Sequence, residues 1–174
     1  MKFALRGAAV FDGYKTHRQS ALLVHGDNIV SIVDENNIPA DYEINLLNGG
    51  TIAPGLIDLQ VNGGGGVLLN NAPTFETLNT MATGHAKFGV TRILPTVISD
   101  DPSISVNAIN AATQCDKQFS GVLGIHIEGP FFSSEKAGVH RKEKLRKLED
   151  SDWQWLEQLA TMPSILTLAP EKTD

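Results

Sequence analysis

The sequence predicts an α/β protein with a parallel sheet, preceded by a small all-β segment. Two observations carry this. Residues 1–50 contain short β-rich runs broken by turn residues and show no helical period. From residue 51 onward, strand-like apolar runs alternate with helix-patterned runs at intervals of roughly 30 to 40 residues, the length of a βα repeat. The expected division is therefore a β segment over residues 1–50 and an α/β segment over residues 51–174.

In the first segment, residues 3–10 read as one strand stopped by Asp12-Gly13. Residues 21–24 and 29–33 are two further β-rich runs. The turn residues His25-Gly26-Asp27-Asn28 between them predict a hairpin. A short strand is expected over residues 42–46, and Asn48-Gly49-Gly50 breaks the chain. No residue here is a candidate for catalysis, and His17 and His25 read as solvent-exposed turn residues.

In the second segment, residues 51–61 are apolar and extended, with an interruption at Pro54-Gly55, and the four glycines 63–66 follow as a turn. No Lys-Ser/Thr follows them, as a phosphate-binding loop requires. Phe75, Leu78, Met81, Ala82, His85 and Phe88 recur close to a 3.6 period and predict a helix over residues 74–88. Residues 89–98 return to strand. Asp101-Pro102 opens a second helix with a cap followed by proline, with Ile104, Val106, Ile109 and Ala112 inward. Residues 121–127 form the next strand. Ser151-Asp152-Trp153-Gln154 has the form of a helix start and predicts a helix with Trp153, Leu156, Leu159 and Ala160 inward. Residues 164–169 form the last strand, ending at Pro170-Glu171.

Composition narrows the function classes. The 174 residues are 41% hydrophobic with a formal charge of −6, which speaks against nucleic acid or an anionic membrane as partner. The single Cys115 cannot close an intramolecular disulfide. The first residues lack the apolar core of a signal peptide, so a cytoplasmic location is expected.

Three places carry candidate chemistry. Glu128 ends the strand that runs into Gly129-Pro130, and the C-terminal rim of a parallel sheet is where α/β proteins build their sites. The alternative is a carboxylate that bonds loop amides or an arginine. Asp58, Gln60 and Asn62 alternate, so they share one side of an extended segment. Their alternative role is to satisfy the glycine-rich turn. His140 lies in the loop after Glu128 and suits an anion or a sugar hydroxyl, although an exposed loop histidine is commoner. The run Arg141-Lys142-Glu143-Lys144-Leu145-Arg146-Lys147 reads as a solvated face.

These residues together carry a resemblance. Ala53-Pro54-Gly55-Leu56-Ile57-Asp58 after a small β segment resembles the first barrel strand of the amidohydrolase superfamily. Gln60 and Asn62 stand where most of that superfamily has two histidines. With His126-Ile127-Glu128-Gly129-Pro130-Phe131, Ala137-Gly138-Val139-His140 and Leu168-Ala169-Pro170-Glu171, the chain is similar to N-acetylglucosamine-6-phosphate deacetylases of the single-metal bacterial type. The resemblance implies the first half of a (β/α)8 amidohydrolase barrel preceded by part of a small β-sandwich. It implies Glu128 as a metal ligand, Val139 and His140 as contacts of the amino-sugar phosphate, and Gln60 and Asn62 as amides replacing first-strand ligands. One divalent ion, zinc or iron, is implied, as are a homodimer and hydrolysis of N-acetylglucosamine 6-phosphate to glucosamine 6-phosphate and acetate. The departure is Arg141-Lys142, where the family often has Asn-Pro.

The family's two histidine ligands and its catalytic aspartate belong to later strands, so the isolated chain is expected to be inactive, with no catalytic residue of its own. A non-catalytic product that folds and self-associates is the alternative. A dihydroorotase-like enzyme is disfavoured by the missing first-strand histidine pair.

Overall fold

A computed structural model describes residues 1–118 and 121–173 of the chain. It divides into two compact units, Met1–Pro54 and Gly55–Asp174.

The first unit is all β. Its strands are β1 (Lys2–Arg6), β2 (Ala9–Phe11), β3 (Thr16–His17), β4 (Ser20–His25), β5 (Asn28–Asp34), β6 (Glu43–Leu46) and β7 (Thr51–Ile52). They form a four-stranded sheet in the order β5-β4-β1-β6 and a three-stranded sheet in the order β3-β2-β7. The expected hairpin is β4 with β5, paired antiparallel from Ser20 opposite Asp34 to His25 opposite Asn28. Ala4, Val10, Ala21, Leu22 and Leu23 supply the buried apolar residues of this unit.

Three expectations are corrected here. The run over residues 3–10 is two strands in two different sheets, because the chain turns at Gly7. Gly7 takes φ +93°, and a Cβ there would lie 2.3 Å from the Leu47 carbonyl oxygen. His17 is half-buried, with Nε2 2.7 Å from Asp12 Oδ2. That bond, with the N–H groups of Lys15 and Tyr14, holds the Asp12 carboxyl well below the usual carboxylate range. Thr51 and Ile52 pair with Ala9 and Val10, so they belong to the first unit.

The second unit contains β8 (Leu56–Val61), β9 (Gly63–Gly64), β10 (Val67–Leu68), α1 (Phe75–Ala86), β11 (Val90–Ile98), α2 (Pro102–Gln118), β12 (Ile125–Glu128), α3 (Trp153–Leu156) and β13 (Ser164–Thr167). The glycine turn joins the two-stranded ribbon of β9 and β10. The main sheet is wholly parallel, in the order β13-β12-β11-β8. Each strand is added to the same edge in chain order. That is how a (β/α)8 barrel is wound, whereas a doubly wound sheet reverses direction at a switch point. The sheet is half of such a barrel.

Local chemistry explains most boundaries. Thr74 caps α1 by accepting the Thr77 N–H at 3.3 Å. Leu78, Met81 and Ala82 of α1 and Ile109, Ala112 and Cys115 of α2 pack with Ile93, Val97, Ile125 and Ile127 of the sheet. Burial pushes the Cys115 thiol up to about 11, which makes it a packing group and not a nucleophile. Among the described residues no helix is long and apolar enough to cross a membrane.

Two helical expectations are corrected. Helix α1 stops at Ala86, so Phe88 lies past the phased stretch and is 81% exposed. The third helix is only α3 between two 3-10 turns, Asp150–Asp152 and Glu157–Thr161. Its capping box joins Glu149 and Asp152, two residues earlier than expected. Trp155 is buried while Trp153 and Ala160 are exposed. Positions two apart on a helix differ by roughly 200°, so Trp153 and Trp155 cannot both face the core. The buried Asp152 decides between them by accepting the Trp155 indole N–H at 3.0 Å. The strand expected over residues 121–127 also begins later, at Ile125. Before it the chain makes one isolated bridge, between Ile93 and Val122.

Candidate functional site

The C-terminal ends of β8, β11 and β12 converge on Glu128. Residues alternate along β12, so His126 and Glu128 share one side while Ile127 enters the packed layer. His126 is buried between neighbouring strands. Its Nδ1 lies 3.2 Å from Thr96 Oγ1 of β11, and its Nε2 lies 2.8 Å from Thr167 Oγ1 of β13. Burial pushes its imidazole below the ordinary value, although the Glu128 charge opposes that. His126 is thus a neutral interior group at neutral pH.

Glu128 is the last residue of its strand, with a side chain 20% exposed. Its Oε1 accepts the Gln60 amide at 3.2 Å. His140 Nε2 stands 3.9 Å from the same oxygen. Among the described residues no lysine or arginine pairs with this carboxylate. Gly129 follows at φ +82°, and a Cβ on it would lie 2.2 Å from Ser99 Oγ. Gly129→Ala is therefore expected to displace Ser99 and destabilise the unit by about 1–3 kcal/mol, measured by urea denaturation.

The structure brings Gln60 to Glu128 but leaves Asn62 apart. Asp58 Oδ1 accepts the Gln60 N–H at 3.1 Å, which stiffens the end of β8. Asn62 lies just past β8, exposed, and its carbonyl accepts the Leu69 N–H. Val139 is 82% exposed.

His140 is the residue that the bare sequence pattern placed wrongly. It is 8% exposed and so not an open loop histidine. Its Nδ1 accepts the Ser99 N–H at 3.2 Å and lies 2.8 Å from Ser99 Oγ. Phe132 meets the ring edge-on at 4.8 Å between centroids.

The basic run after His140 is a solvated face only in part: Arg141, Lys142, Glu143 and Lys147 are exposed, while Lys144 and Arg146 are half-buried and act as fasteners. Arg141 reaches Asp100 at 2.9 Å, and Lys144 pairs with both Asp101 and Asp100. Arg146 pairs with Asp152 at 2.5 Å and lies over the Phe131 ring. From the other side, the Asn70 amide donates to Asp100 Oδ2 and to the Ile98 carbonyl, and its oxygen accepts the Ile98 N–H. Burial raises the Asp100 pKa, but the Asp101 N–H, the Asn70 amide and the charges of Arg141 and Lys144 outweigh it and hold it below the usual range. The loops after β8, β11 and β12 are thereby tied together. Sequence reasoning missed Ser99 and Asn70. The signal for Ser99 was available, since it is the first polar residue past the apolar run of β11.

Comparison with known proteins then places the chain. No protein-family model matches it. It is 43% identical over 172 residues to an N-acetylgalactosamine-6-phosphate deacetylase from Shewanella. It is 32% identical over 172 residues to an N-acetylglucosamine-6-phosphate deacetylase from Haemophilus influenzae. The crystal structure of the N-acetylglucosamine-6-phosphate deacetylase from Pasteurella multocida superposes with a TM-score of 0.93 over 99% of this chain, at 32% identity. In sequence and in fold, the chain resembles the N-terminal part of these deacetylases. It spans 43% and 45% of the length of the two curated deacetylases and 46% of the Pasteurella chain. The end of β12 with Glu128 lies within the part shared with the Pasteurella deacetylase.

Proposed function

We propose that the chain forms the N-terminal part of a metal-dependent deacetylase that hydrolyses N-acetylated amino-sugar 6-phosphates to the free amine and acetate. The observation that carries this reading is Glu128. It is a rim carboxylate with an amide on one oxygen, a buried histidine beside it and no lysine or arginine partner among the described residues. A carboxylate has about four lone-pair sites, so the single Gln60 bond leaves acceptor capacity for a divalent ion. The donor set fits one corner of a metal site. A bound divalent ion supplies Lewis-acid polarisation of the amide carbonyl and an activated water.

The chain's own residues would do the rest of what this half contributes. Gln60 holds the Glu128 carboxylate in one orientation. Asn62 lies next along the same rim. His140 turns its Nε2 toward the space beside Glu128 because Nδ1 is already engaged by Ser99. Val139, open beside His140, is positioned to touch the sugar.

N-acetylglucosamine 6-phosphate is the substrate that the family name points to. The C4 epimer is a second reading, favoured by the higher identity to the galactosamine enzyme, 43% against 32%. Two chimeras test both readings, each joining this chain to the remaining C-terminal part of one of those relatives. Acetate release is measured from the 6-phosphates of N-acetylglucosamine and N-acetylgalactosamine. Release from at least one epimer is expected, and release from neither overturns the reading.

The 174-residue polypeptide alone is expected to release no acetate and to retain no stoichiometric divalent ion. Among the described residues no three His, Cys, Asp or Glu groups converge, whereas a catalytic zinc site uses about three protein ligands. Acetate release by the pure chain that stops on adding a chelator would contradict this.

A further inference from the structure

We infer that Ser99 is a positioning residue that fixes His140 in the tautomer with its proton on Nε2, aimed at the space beside Glu128. The inference deepens the functional reading above and rests on it for its meaning, but its geometry stands alone.

Ser99 follows the last residue of β11 and is buried. Two of its groups face the same ring nitrogen. The backbone N–H lies 3.2 Å from His140 Nδ1, and Oγ lies 2.8 Å from it. A backbone N–H can only donate, so Nδ1 must present its lone pair. The neutral imidazole then carries its proton on Nε2. The opposite tautomer would set an N–H against an N–H at 3.2 Å, a separation with no room for a water between them.

The surroundings leave the ring little choice of rotamer. Phe132 packs against it edge-on. The His140 N–H donates to the Ala137 carbonyl at 3.0 Å. The next residue, Arg141, is held by Asp100, the neighbour of Ser99. Ser99 Oγ in turn sits 3.5 Å from the Glu128 carbonyl oxygen, on the side that Gly129 leaves open. Ser99 therefore links the ends of β11 and β12 and sets which ring nitrogen meets the site. With a proton on Nε2, His140 offers the site a hydrogen-bond donor for a substrate oxygen. It has no lone pair there for a metal ion.

Nitrogen-15 NMR of the uniformly labelled 174-residue chain tests this without turnover. The His140 signals are assigned by their loss in His140→Asn. The expected result is an unprotonated Nδ1 and a protonated Nε2, with scalar coupling across the hydrogen bond between the Ser99 amide nitrogen and Nδ1. Ser99→Ala keeps the backbone donor, so Nδ1 is expected to stay unprotonated while its nitrogen-15 shift moves with loss of the hydroxyl contact at 2.8 Å, and Ser99→Thr is expected to restore the wild-type shift. A proton on Nδ1 in the wild type would overturn the inference, as would the absence of coupling between the Ser99 amide nitrogen and Nδ1. Chimeras that release no acetate would overturn the functional reading while leaving this result intact.

Discussion

Glu128→Gln in a chimera that releases acetate is expected to lower kcat/KM by roughly a thousandfold, the equivalent of about 4 kcal/mol. The substitution keeps the shape of the side chain. Its carbonyl oxygen still accepts the Gln60 amide, which in the wild type bonds Oε1 at 3.2 Å. The rim and the loop ties of Ser99, Asp100 and Asn70 are untouched. What is lost is the negative charge and the strong lone pairs that a divalent ion requires. The loss should appear in kcat/KM with thermal stability nearly unchanged. A variant that keeps full turnover would mean that the carboxylate serves only to bond Gln60.

Asp152→Ala is expected to destabilise the second unit by about 3–5 kcal/mol, the cost of removing one partner from a buried ion pair. The Asp152 side chain is 3% exposed. It accepts Arg146 Nη1 at 2.6 Å and Nη2 at 2.5 Å, the Glu149 N–H at 2.9 Å and the Trp155 indole at 3.0 Å. One substitution thus leaves a guanidinium and an indole donor without their acceptor. It also removes half of the capping box. Phe131 would loosen as well, because it stacks against Trp155 at 6.1 Å and lies under Arg146. Urea denaturation followed by tryptophan fluorescence measures the effect.

The same residue sets an acid limb. Burial raises the Asp152 pKa, but the bonds from Arg146, the Glu149 N–H and Trp155, with the Arg146 charge, outweigh it and hold it below the usual value. A carboxyl whose folded pKa is depressed contributes stability that is fully present above its unfolded pKa, about 4. That stability is lost as pH falls through the folded pKa. Unfolding free energy should therefore drop below about pH 4, and less steeply in Asp152→Ala. An identical slope in the two proteins would count against this role for Asp152.

The alternation of strands and helices was legible because each apolar run is local, bounded by its own cap or turn. The phased apolar residues of α1 and Asp101-Pro102 at the start of α2 announce themselves within a few residues. Glu128 was legible for a related reason, since Gly129-Pro130 ends its strand and fixes the carboxylate at the rim. His140 was not, because its burial depends on Ser99, far away in sequence. The basic run at 141–147 misled in part, and in the same way. Its partners Asp100, Asp101 and Asp152 lie outside the run, and only the fold brings the first two to it. Trp153 and Trp155 differ by phase, and a helix of four residues is too short for periodicity to decide. What composition could not supply was the contact between loops, and the candidate site is made of those contacts.

Metal content after exhaustive dialysis, compared between an active chimera and its Glu128→Gln variant, tests the assignment of Glu128 most directly. About one divalent ion per chain is expected in the parent, and a small fraction of that in the variant. Equal metal content in the two would contradict Glu128 as a ligand and with it the placement of the site at the end of β12.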